Sequence, residues 1–155
     1  MRTAEEIVRI RKVLLEYCIQ KQTERIETAR KAMDDAQETA NMEDTSVEEK
    51  FESFRTQMQQ DRDMFAKQYS EALDGLNTLR KIQIDRSQDT IALGSVVITE
   101  AQKVFVSANI GQIKIENDVY FGISIESPLF KAMVGKKAED FYSFRDKNFK
   151  ILEVF

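Results

Sequence analysis

The chain has 155 residues, 42% hydrophobic and 32% charged, with a formal net charge of −4, no histidine, no tryptophan and a single cysteine. That composition excludes a histidine general base, a Ser-His-Asp or Cys-His nucleophile pair, and a zinc site built from His or Cys clusters. The acidic balance also argues against autonomous nucleic-acid binding, which leaves a basic footprint. One cysteine makes no internal disulfide, so a reducing, cytoplasmic setting is expected. The charged start (Glu5, Glu6, Arg9, Arg11, Lys12) does not read as a signal peptide, and no run of about 18 apolar residues exists to span a membrane.

Residues 1–84 contain one glycine (Gly75) and no proline, and their apolar residues recur at helical spacing. Val8, Leu15, Ile19, Ile26, Ala29, Met33, Ala36 and Ala40 form a first seam, with Lys12 and Gln22 as polar members. Val47, Phe51, Phe54, Met58, Phe65, Tyr69, Ala72, Leu76 and Leu79 form a second. The step of four from Phe65 to Tyr69 is a stutter that relaxes supercoiling. Between the seams, residues 41–46 are polar and end in overlapping capping boxes, Thr45-x-x-Glu48 and Ser46-x-x-Glu49. Two seams of similar length across such a break predict an antiparallel helical hairpin with arms of about 50 Å. A single long helix in a parallel dimer is the rival, and the break at 41–46 counts against it. Cys18 adjoins the first seam and reads as buried filler.

The polar segment 85–89 separates this half from residues 85–155, which alternate at period two. Val96–Ile98, Val104–Ile110, Ile113–Ile115 and Val119–Ile123 read as successive strands. Ser127, Pro128 and Gly135 fit the N-cap, first position and stop of a two-turn helix. Phe141–Phe144 and Phe149–Val154 close the sheet across a turn at 146–148. The expected architecture is α+β: a helical hairpin over 1–84, then a small antiparallel sheet domain with one short helix over 85–155.

Charge supplies the candidate site. From Asp34 to Glu49 there are seven carboxylates and no Lys or Arg, flanked by Arg25, Arg30, Lys31, Lys50 and Arg55. A hairpin would carry this as an acidic tip on a basic collar. Clustered carboxylates repel one another, and a divalent cation relieves the repulsion. Glu48 and Glu49 are also explained by the dipole at a helix start, whereas Asp34, Asp35 and Glu38 lie near a helix end that disfavours acids. Solubility accounts for them equally well.

This plan resembles the Gre transcript cleavage factors of bacterial RNA polymerase over nearly the whole chain. The similarity is strongest in Gly94-Ser95-Val96-Val97-Ile98, Ile123-Ser124-Ile125-Glu126-Ser127-Pro128, Ala132-Met133-Val134-Gly135-Lys136-Lys137 and Phe149-Lys150-Ile151-Leu152-Glu153-Val154. The resemblance implies an FKBP-like second domain docking at the rim of the polymerase secondary channel, with Ser127, Pro128, Lys31 and Arg55 as partner-binding residues. It implies that the hairpin brings Asp44 and Glu43 to the polymerase's own active centre, with Glu48 as a further ligand. There they would supply ligands for Mg²⁺ shared with the polymerase and not held stably by the free protein. Partners would be RNA polymerase, with the nascent RNA 3′ end and DNA met only inside the elongation complex, and no membrane. The chain itself, an expected monomer, would be an accessory factor and not an enzyme. Its expected effect is cleavage of backtracked RNA.

The tip departs from the family's Asp-x-x-Glu-Asn-Ala-(Asp/Glu)-Tyr pattern with an Arg four residues on. Registering Phe51 and Arg55 on the family's tyrosine and arginine puts Asp44 on the first acid, Val47 on the second and Lys50 on the acid beside the aromatic. That leaves open a channel-binding regulator that does not stimulate cleavage. A prolyl isomerase or client clamp on an FKBP-like sheet, and a plain coiled-coil adaptor, are the readings from other classes.

Overall fold

The computed structural model describes the backbone of residues 2–41 and 48–155 and the side chains of 2–39 and 52–155. Two long helices, α1 (Ala4–Asn41) and α2 (Glu48–Leu79), precede a six-stranded sheet. Its strands are β1 (Val96–Thr99), β2 (Lys103–Val106), β3 (Gly111–Ile115), β4 (Asp118–Ile123), β5 (Phe141–Phe144) and β6 (Lys147–Val154), with α3 (Pro128–Met133) between β4 and β5. The fold class is as expected, and the expected break at 41–46 lies, but for the backbone of Asn41, outside the described residues.

The chain packs as two compact units: Met1–Lys21 with Gly75–Phe155, and Gln22–Asp74. The change of texture near residue 85 is therefore not where the packing divides. The start of α1 and the end of α2 share a core with the sheet.

In the sheet unit the strand order is β3-β4-β2-β1-β6-β5. Every pairing is antiparallel except β2–β4, which run parallel with Val104 level with Phe121. The sheet is thus mixed, because the β3–β4 hairpin returns its second strand alongside β2. Both faces are covered. Val96, Ile98, Phe105, Ile113 and Tyr120 pack with Leu14, Cys18, Leu79 and Ile82. Val97, Val104, Val106, Tyr142 and Ile151 pack with Phe130 and Met133 of α3 and with Ile91. Cover on two sides is why all four residues of β1 are buried, where a half-solvated strand would alternate.

Local chemistry sets the boundaries. Ser127 caps α3 by accepting a hydrogen bond from the Phe130 N–H at 3.2 Å, and Pro128 opens the helix. Gly135, at φ +78°, stops it in the left-handed region that a side chain resists. Two expectations are corrected. The strand expected over 104–110 ends at Val106, and the Ile110 N–H is shared between the Ala108 carbonyl at 2.8 Å and the Gly122 carbonyl of β4 at 3.2 Å, a turn in which Ala108 and Ile110 are both buried. The last hairpin turns on Arg145-Asp146, both at positive φ, with Phe144 paired to Lys147. The expected turn at 146–148 was one residue late, because a two-residue turn of this kind matches the strands' twist.

In the Gln22–Asp74 unit the helices run antiparallel, with the Gln22 side-chain N–H donating to the Ala72 carbonyl at 2.9 Å. Ile26, Ala29 and Ala36 are buried on α1, and Ala72 on α2. From Gln22 to Ala36 the first seam is as expected, and the side chain of Ala40 lies outside the described residues. Before it, the buried face is Arg11, Leu14 and Cys18, while Val8 is 39% exposed and Lys12 is exposed. The expected seam is displaced by one residue there, since the start of α1 packs against a sheet and its face is set by that surface. On α2, Phe54 is 46% exposed and does not belong to the buried seam.

Candidate functional site

Arg11 is a buried charged side chain that the helical spacing does not single out. It is fully buried, and its guanidinium donates to four main-chain carbonyls: Gly94 from Nε at 3.1 Å, Ile84 and Arg86 from Nη1 at 3.1 and 2.7 Å, and Gln83 from Nη2 at 3.1 Å. The guanidinium fork suits such a set because its donors are fixed in one plane. Burial lowers its pKa, and the nearby Asp85 carboxylate opposes that shift. Gly94 makes the approach possible: at φ +89°, an added Cβ would lie 2.9 Å from Ile82 Cγ2 and 3.3 Å from Arg11 Nη2. The signal in the sequence was the 3-4-4 spacing of Arg11, Leu14, Cys18 and Gln22, hidden because its first member is charged.

The second surface is the turn that leads into α3. The Ser127 hydroxyl donates to the Ser124 carbonyl at 2.8 Å while it caps the helix, so its polar atom is engaged internally. The Ser124 hydroxyl in turn accepts from the Glu126 N–H at 3.0 Å. What faces outward is Pro128, Lys131, Ile125 at 41% and Val134 at 50% exposure. Ser127 shapes this surface and Pro128 presents it. Lys136 and Lys137 carry backbone pairings: the Lys136 carbonyl accepts from the Ile91 N–H at 2.9 Å, and Lys137 bridges to Thr90. Both positions thus hold the margin of the sheet.

On the hairpin, Lys31 and Arg55 are both exposed. With Gln22 level with Ala72, antiparallel pairing puts Arg55 about eight residues, or about 12 Å, beyond the level of Lys31. The structure does not bring these two together. Asp34, Asp35 and Glu38 are exposed, and Arg30 pairs with Glu27 at 2.9 Å. Glu48 opens α2, but its side chain lies outside the described residues, as do Glu43 and Asp44 entirely. Among the described residues there is no group of three or more His, Cys, Asp or Glu placed to hold a metal ion. No helix among the described residues is long and apolar enough to cross a membrane.

No family model matches the chain. No curated protein matches it either. Among solved structures, it is similar to GreA factor homolog 1 (Gfh1) of Thermus thermophilus, at 18% identity and a TM-score of 0.33, covering 91% of this chain and 92% of that one. A second structure, of the transcription factor Gfh1, is 20% identical with a TM-score of 0.37 and covers 88% and 92% of the two chains.

Proposed function

We propose that the chain is an RNA polymerase-binding transcription elongation factor whose hairpin enters the secondary channel and stimulates cleavage of backtracked RNA. One observation carries this reading. The Gre-like run from Ile123 to Lys137 folds as a capped turn with Pro128 and Lys131 outward, in a chain that also holds an antiparallel helical hairpin. The division of labour follows from chemistry: the Pro128 surface docks, and the carboxylates of Asp44 and Glu43 act. Bound Mg²⁺ at the polymerase centre would activate water for attack on the phosphodiester. This chain's part is to add carboxylate oxygens, so alone it hydrolyses nothing, and it works in the cytoplasm.

A stalled elongation complex with a backtracked transcript tests the proposal. Added protein should speed RNA shortening in Mg²⁺, and Asp44→Ala or Glu43→Ala should remove the effect while binding persists. No acceleration over polymerase alone would end the cleavage reading. The second reading, occupation of the channel without cleavage, is favoured by Val47 and Lys50 where the family pattern carries acids. It is supported if the protein displaces an active cleavage factor and slows nucleotide addition, and it fails if no competition is seen at saturation.

A further inference from the structure

The sheet ends in two different edges, β3 on one side and β5 on the other. Each edge strand adjoins a two-residue loop, with Ile115 paired to Asp118 and Phe144 to Lys147. Residues flanking such a loop bond to each other, and alternation then turns Gln112 and Lys114 outward on β3, and Phe141 and Ser143 outward on β5. The far end of β5 keeps that phase, since the Ile151 N–H donates to the Asp140 carbonyl at 2.8 Å and the Glu139 N–H to the Ile151 carbonyl at 2.8 Å. Lys114 on β3 is the kind of charged residue that keeps edges from pairing. β5 reads Phe-Tyr-Ser-Phe with no charge, and Phe141 at 60% is the most exposed large apolar side chain among the described residues. No hydrogen bond among the described residues reaches the outward N–H or C=O of Phe141 or Ser143.

We propose that β5 pairs with β5 of a second copy of this chain, antiparallel, about a two-fold axis at Tyr142. Facing residues must both turn outward, so Phe141 meets Ser143 of the other copy, and two such pairs give four backbone hydrogen bonds. The small Ser143 leaves room for the opposing Phe141 ring. Charge selects the direction. The strand is entered through Glu139, paired with Lys150 of its own chain, and Asp140, and left through Arg145, Asp146 and Lys147, a net positive exit with the Arg145 guanidinium held 5.1 Å over the Phe144 ring. Antiparallel pairing sets acidic entry against basic exit twice, whereas parallel pairing would set like against like. The contact is isologous and closes on itself, so it stops at a dimer.

Sedimentation of the full chain from micromolar to millimolar concentration tests this. We expect a reversible monomer–dimer equilibrium, weak because a four-residue edge falls well below the standard interface. Ser143→Pro removes an outward N–H without touching the β6 ladder, and should weaken dimerisation by about tenfold or more. Phe141→Lys should do the same with the backbone unchanged, and Arg145→Glu should weaken it less and flatten its salt dependence. Circular dichroism of each variant checks the fold, and Phe141→Lys decides the matter if Ser143→Pro does not fold. A monomer throughout the range, or a dimer that resists Phe141→Lys, overturns the proposal.

Discussion

The sheet unit and the Gln22–Asp74 unit achieve order by different means. In the first, Val96, Val97, Val104, Phe105, Ile113 and Ile151 are fully buried between covered faces. In the second, the buried set among the described residues is Gln22, Ile26 and three alanines, and larger residues such as Met58, Phe65 and Tyr69 are only half-buried. Burial contributes about 25 cal/mol per Å² of apolar area, so a typical side chain steadies the sheet far more than the hairpin. The lesson is that a pair of helices can keep its direction with little core, leaving most of its surface polar.

That contrast can be broken or sharpened by substitution. Arg11→Met should cost the most, about 4 kcal/mol in chemical denaturation, because several carbonyls lose their donors at once and Gly94's is buried. Ile113→Ala should cost about 3 kcal/mol by opening a cavity, while Phe54→Ala on the hairpin should stay within about 0.5 kcal/mol. Equal effects at those two sites would erase the difference between the units. Ser127→Ala should cost about 1 kcal/mol through the lost cap, and Pro128→Ala should lower polymerase affinity with little change in melting temperature. Gln22→Leu should be neutral or stabilising by up to about 1 kcal/mol, since Gln22 Oε1 is buried with no hydrogen-bond partner. The smallest effect is a pH dependence at Lys150. Its hydrogen bond to Glu139 at 2.7 Å raises the lysine's pKa in the folded state, so that contribution is intact below 10.5 and disappears as pH climbs beyond it.

Much of this was legible from residue order. Helical spacing and the polar break at 41–46 gave two helices, and Ser127, Pro128 and Gly135 marked α3 because each acts on the backbone beside it. Turn residues were less readable: Arg145-Asp146 adopts a conformation that Asn-Gly would have announced. The parallel β2–β4 pairing left no local trace, since it depends on where a hairpin folds back. Arg11 was invisible because its partners lie more than seventy residues away and a buried charge breaks the apolar pattern used to find buried faces. Of the candidate site, the sequence placed Ser127 and Pro128 on one turn, but the two hairpin cations are set apart by a helical stagger that no composition records.

The contacts of Arg11 have a consequence for how such chains diverge. All four acceptors belong to the main chain, and no mutation alters a carbonyl oxygen, so residues 83, 84 and 86 can change identity while the same bonds are made. Gly94 alone is held, by the space that Ile82 denies to a side chain. Distant relatives of this chain would therefore be marked better by one arginine and one glycine 83 positions apart than by the identities of the residues whose carbonyls the arginine grips.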